Sequence, residues 1–102
     1  MAGYVLTPTA RRDLREIRQY LAGAPQPIRD RVIDRLIETF QQASDFPDSG
    51  RPEPELPRTA GAVSRSLLRY PYRIFYYPEA SPVRIFAILH GKRDPLTVLK
   101  GR

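Results

Sequence analysis

Between residues 47 and 62 the chain carries four prolines, Pro47, Pro52, Pro54 and Pro57, together with Gly50 and Gly61. Proline lacks the backbone donor that a helix interior or a central strand needs, so neither element is expected to run through this stretch. The segment divides the chain into halves with different hydrophobic periods. Too little chain follows it, in 102 residues, to build a second core, so it reads as a crossing loop within one domain spanning 1–102.

The first half has a helical period. Tyr4-Val5-Leu6 predicts a short strand, and Thr7-Pro8 predicts an N-cap followed by proline at the first helical position, where a missing N–H costs nothing. Ala10, Leu14, Ile17 and Leu21 then form a stripe for burial, with Arg11, Arg12, Asp13, Arg15, Glu16 and Arg18 expected on the wet side. Gly23, Pro25 and Pro27 end this helix and begin another. Its apolar face is Ile28, Val32, Ile33, Leu36, Ile37 and Phe40, and Phe46-Pro47 stops it. The short connection predicts an antiparallel helical hairpin.

The second half has a strand period. Val63–Leu68, Tyr72–Tyr77 and Val83–Leu89 are three runs separated by short turns, which predicts an antiparallel meander. The whole therefore reads as α+β: an N-terminal strand, a helical hairpin, and a three-stranded meander forming one sheet packed on the helices. Strict alternation along the last strand sends Val83, Ile85, Ala87 and Leu89 toward the helices. It sends Arg84, Phe86, Ile88 and His90 away from them.

A core this small favours a working surface over an enclosed cavity. The chain has no cysteine and one histidine, which excludes disulfides, thiolate chemistry and histidine-rich metal sites. Asp and Glu fall mostly beside arginines on helix faces, so no metal and no cofactor is expected. No apolar run has the length of a signal peptide or a membrane span, and a cytoplasmic protein without membrane contact is the expectation. The formal charge of +6 suits an acidic partner or nucleic acid.

Chemistry-bearing candidates gather in the meander. Arg65, Arg69 and Arg73, with Lys92 and Arg93 just past His90, would converge on one open face if the strands lie side by side. Tyr70, Tyr72, Tyr76 and Tyr77 are then available to stack on bases. A lone histidine at a strand's end is first a structural or surface residue and only second a candidate acid or base.

Five segments together resemble one family. They are Tyr4-Val5-Leu6-Thr7-Pro8 with Ala10 and Asp13-Leu14; Asp34-Arg35-Leu36-Ile37; Phe46-Pro47-Asp48-Ser49-Gly50-Arg51-Pro52; Tyr72-Arg73-Ile74-Phe75-Tyr76; and Ile88-Leu89-His90-Gly91-Lys92-Arg93-Asp94. In this order the chain resembles the ParE branch of the RelE/ParE superfamily of type II toxin–antitoxin toxins. The resemblance implies a small α+β toxin neutralised by a cognate antitoxin, inhibiting DNA gyrase and replication by protein binding without being a hydrolase. Its target-facing candidates are Arg51, Arg69, Arg73, His90, Lys92 and Arg93. RelE-like members instead cut mRNA on the ribosome, and for that endonuclease chemistry the candidates here are Arg65, Arg69, Arg73, His90 and Arg93. After Arg93 the chain reads Asp94-Pro95-Leu96-Thr97-Val98-Leu99, without the tyrosine that the RelE pattern tends to place there, and this favours the gyrase reading.

Overall fold

The computed structural model describes residues 3–100 and Arg102; Met1, Ala2 and Gly101, and so the ends of the expected 1–102 span, lie outside the described residues. In chain order the elements are β1 (Tyr4–Leu6), α1 (Pro8–Tyr20), α2 (Gln26–Asp45), β2 (Arg51–Glu53), β3 (Ser64–Arg69), β4 (Tyr72–Tyr77), β5 (Val83–His90) and α3 (Pro95–Leu99). One mixed sheet has the order β1-β5-β4-β3-β2, with β1 parallel to β5 and every other pairing antiparallel. The helical hairpin covers one face of it, as expected for this α+β class. Among the described residues, no helix is long and apolar enough to cross a membrane.

Local chemistry accounts for the first helix. The Thr7 side chain accepts a bond from the Ala10 N–H and Pro8 opens the helix. Ala10 and Ile17 of α1, with Ile33, Leu36, Phe40 and Ala43 of α2, pack on Leu67, Ile74, Tyr76, Val83, Ile85 and Ile88 of the sheet. The apolar face expected on α2 is narrower in the structure: Ile28 and Ile37 are 46% and 41% exposed. The sheet-facing stripe runs through Ile33, Leu36, Phe40 and Ala43, and Ile37 lies about 100° round the helix from Leu36.

The proline-rich segment is not only a crossing loop. Arg51–Glu53 forms β2, which pairs with β3 at the edge of the sheet. An edge strand has one side without a neighbour, so Pro52 is tolerated there as it would not be in a central strand. The preceding Pro47–Ser49 turn is fixed by Tyr76, a fully buried residue whose hydroxyl donates to Pro47 O at 2.7 Å and accepts from Gly50 N at 3.0 Å. Arg65 adds a 2.6 Å bond from Nη1 to Gly50 O. A β-carbon at residue 50 would stand 2.9 Å from Ser66 O and against the Tyr76 hydroxyl, so only glycine fits this crossing.

Strand β5 breaks the expected alternation. Its register against β4 passes from Phe75↔Ala87 to Tyr76↔Ile85, leaving Phe86 as the extra residue of a bulge. Val83 and Ile85 face the helices as expected. Past the bulge the faces exchange: Ile88 packs in the helix-side core, whereas Ala87 and Leu89 join Phe75, Tyr77, Phe86, Leu56 and Leu99 on the opposite side. The far face is therefore a second core covered by α3 and the 54–57 segment. His90, two residues beyond Ile88, stands on the helix side, not away from it.

Asp13 is also displaced from its expected place. It is 5% exposed, because β1 pairs with Val83–Ile85 only and leaves the Ile88 N–H without a strand partner. Asp13 Oδ2 accepts that N–H at 3.1 Å, and Arg102 grips both carboxylate oxygens at 2.7 and 3.0 Å. Arg102 also donates to Phe86 O at 3.2 Å.

Three outcomes follow for stability. Asp13→Ala strands the Arg102 guanidinium and the Ile88 N–H, and urea unfolding should show a loss of about 3–5 kcal/mol; a loss under about 1 kcal/mol would mean the pair adds little. Burial raises the Tyr76 phenol above its ordinary value, and Gly50 N and Arg65 only partly oppose this. Burial likewise raises Tyr72, with Tyr20 adding to it. As pH climbs past about 10, unfolded tyrosines ionise while these two keep their protons, so stability should fall with rising pH. Tyr76→Phe should cost about 1–3 kcal/mol near neutrality by orphaning Gly50 N and Pro47 O, and should shrink that alkaline slope.

Candidate protein-binding surface

The end of β5 and the turn after it are held by backbone bonds together with the side chains of His90 and Asp94. His90 closes the strand opposite Tyr72, its ring edge-on to the tyrosine at 5.8 Å between centroids. Gly91 N donates to Pro71 O at 2.7 Å, which ties the turn to the β3–β4 connection, and a β-carbon on Gly91 would lie 3.3 Å from that oxygen. Lys92 N donates to His90 Nδ1 at 3.1 Å and Arg93 N to His90 O at 3.0 Å. Asp94 caps α3 by accepting from Leu96 N at 3.1 Å and from the Thr97 hydroxyl at 2.8 Å. The backbone and the side chains of His90 and Asp94 are thus engaged, and the side chains of Lys92 and Arg93 are what the turn presents; both residues are exposed.

Beside the turn lies a cleft of about 280 Å³ between α1 and the sheet. Its apolar floor is Ile17, Tyr72 and Ile88, and Tyr20, His90 and Arg93 stand around it. Two large aromatic residues are exposed near here: Tyr20 beside the cleft at 82%, and Tyr70 at 86% in the β3–β4 connection whose Pro71 carbonyl accepts from Gly91. Aromatic side chains mixed with arginine are the composition typical of residues that carry protein–protein binding energy. Of these, Tyr20 was not apparent from the sequence. Tyr20 sits seven residues after Asp13 on the same helix face, beyond the point where the sheet covers it.

The sheet arginines do not converge. Alternation along β3 puts Arg65 and Arg69 on the side of Leu67, facing the helices. There Arg65 bonds Gly50 O, and Arg69 Nε bonds the Thr39 hydroxyl of α2 at 2.9 Å. Arg73 points to the opposite face, where it pairs with Glu53 at 2.8 Å, donates to Ser66 at 3.3 Å and lies 5.0 Å from the Phe75 ring centre. Arg51 is exposed on β2, three strands away from β5. Of the sequence candidates, only His90, Lys92 and Arg93 form one continuous group. The tyrosines expected to stack on bases are likewise committed: Tyr72, Tyr76 and Tyr77 are buried, and Tyr77 stacks on Phe86 at 4.5 Å. Tyr70 alone of the four is free. Among the described residues, no three His, Asp or Glu side chains gather as metal ligands would.

Comparison with known proteins agrees with this architecture. No curated relative matches the sequence. Among solved structures, the chain is similar to one from the chromosomal ParDE toxin–antitoxin system of P. aeruginosa, with a TM-score of 0.64 and 18% identity over 88% of this chain and 96% of that one. At that identity the likeness is one of fold. The family model described as the ParE toxin of the type II toxin–antitoxin system parDE matches residues 4–95, nearly the full length, and the chain belongs to that family.

Proposed function

We propose that this toxin acts in the cytoplasm by binding DNA gyrase and blocking replication, that a cognate antitoxin neutralises it, and that Lys92 and Arg93 with the neighbouring cleft form the target-facing surface. The observation that carries the reading is the split of the arginines across the sheet. Cleavage of an internal phosphodiester needs cations and an acid/base converging on one phosphate. Arg73 and the pair Arg65 and Arg69 lie on opposite faces, and each donates to a group of the fold itself. Their charge is used to hold β2, the Pro47–Ser49 turn and α2 in place. Among the described residues, Lys92 and Arg93 are exposed, and Arg93 lines the cleft together with the exposed Tyr20. Support for the antitoxin comes from the family and from the solved relative, which belongs to a toxin–antitoxin system. The basic surface also suits an acidic segment that folds on binding.

A supercoiling assay with purified toxin tests the target. Inhibition should saturate with toxin and be reversed by an equimolar antitoxin; undiminished supercoiling at saturation would count decisively against gyrase. Lys92→Ala with Arg93→Ala should weaken inhibition about tenfold or more with no change in unfolding midpoint. Arg73→Ala should behave the other way, lowering stability by about 2–4 kcal/mol because Glu53 is left unpaired, while the folded fraction still inhibits. Appearance of new RNA 5′ ends after induction, abolished by Arg73→Ala, would favour cleavage instead.

A further inference from the structure

His90 makes a contact that a target-facing side chain does not need. Its Nδ1 accepts the Lys92 N–H at 3.1 Å, and its carbonyl accepts the Arg93 N–H at 3.0 Å. A backbone N–H bonds only to a ring nitrogen that carries a lone pair, so the hydrogen bond assigns the neutral tautomer with its hydrogen on Nε2. The ring is held in this orientation by the edge-on contact with Tyr72, itself buried at 8% exposure. Resting on the binding reading above, we propose that His90 is the positioning residue of the basic turn. It acts through the Nδ1 lone pair to fix Lys92 and Arg93, and not through Nε2 as an acid or base.

The chemistry has a direct consequence. Protonation places a hydrogen on Nδ1, which then faces another donor at Lys92 N, and the bond is lost. The turn keeps Gly91 N on Pro71 O and Arg93 N on His90 O, so it loosens at Lys92 without unfolding. The charged and titratable groups around the ring are Asp13, Glu16 and Tyr20 of α1, Tyr72 of β4, and Lys92 and Arg93 of the turn. Asp13 is already held by both nitrogens of the Arg102 fork, and Glu16 lies 4.0 Å from Arg12.

Two substitutions separate the ring nitrogens. Asparagine places an amide oxygen where Nδ1 sits, and at the first position of a turn it accepts from the N–H two residues on. Glutamine places its amide near the position of Nε2. Growth arrest on expression of the full chain without antitoxin should be retained within about twofold in His90→Asn, but weakened about five- to tenfold in His90→Gln and His90→Ala, the worth of one hydrogen bond. The protection of the Lys92 amide against hydrogen exchange, measured on the purified toxin, should follow the same order. Should His90→Ala fail to fold by circular dichroism, the Asn and Gln pair carries the test. Potency kept by Gln and lost by Asn would overturn the proposal in favour of Nε2 chemistry, and equal potency in all three would show that the turn holds without the histidine. If the wild-type chain arrests no growth, the toxin reading fails separately. Lys92 protection then decides alone: lost in Gln and Ala but kept in Asn supports positioning, and unchanged throughout overturns it.

Discussion

The extra residue in β5 sets the geometry on both sides of the sheet. By opposing Tyr76 with Ile85 and Phe75 with Ala87, the bulge lets Phe86 and Ala87 share the far face. That gives α3 and Leu56 an apolar floor to cover. It also turns Ile88 and His90 toward α1, which creates the cleft. A bulge disrupts the local ladder, and β1 stops at Leu6, so Phe86 O and Ile88 N lack strand partners on that edge. Asp13, Thr9 and Arg102 supply them from side chains. An unmet buried N–H costs as much as a lost hydrogen bond, so the buried Asp13 satisfies the Ile88 N–H beyond the end of β1. Arg102 in turn makes the buried carboxylate tolerable by a forked, charge-assisted pair.

The same economy of charge explains where function can reside. A chain with seventeen Lys and Arg residues invites the reading that its basic surface is the site. Yet Arg65, Arg69, Arg73 and Arg102 are all partly or wholly buried and donate to carbonyls, hydroxyls or carboxylates of the fold. Arginine suits these duties because its planar fork satisfies two acceptors at once and is weakly hydrated. Polar interior contacts of this kind fix register: Arg65 and Tyr76 lock the Pro47–Gly50 crossing onto β3 and β4, and Arg73 holds the edge strand β2 through Glu53.

Much of the architecture was legible because it rests on local chemistry. The Thr7-Pro8 helix start, the Gly23–Pro27 break and the three-run meander depend on residues adjacent in sequence, and the structure places each where the pattern does. The failures share a cause: they depend on partners far along the chain. Asp13 lies three residues from Ala10 and four from Ile17, squarely on the buried stripe, yet its charge argued for solvent because Arg102 and Ile88 N were out of view. The faces of β5 followed from strict alternation, and a run as apolar as Val83–Leu89 gives no sign of which residue will bulge. Pro52 argued against a strand where only an edge position made one possible. For the candidate surface, the cations after His90 were named by position, whereas Tyr20 emerged only once the sheet's extent was known.

A surface built in this way separates what must be kept from what can change. Gly91 answers to the Pro71 carbonyl, His90 to the Lys92 amide and Asp94 to the first turn of α3. A substitution that removes the hydrogen-bonding atom at His90 or Asp94, or adds a β-carbon at Gly91, disturbs the backbone of the turn beside the cleft and α3. Lys92 and Arg93 are exposed, and among the described residues their side chains hold no part of the fold in place, so their identity can vary at little cost to the fold. The same separation holds across the sheet: a change at Arg73 or Arg65 reaches function only by loosening β2 or the Pro47–Ser49 turn. Loss of activity at a sheet arginine is therefore not evidence of catalysis unless stability is measured beside it. Loss at Lys92 or Arg93 with stability intact is evidence of contact.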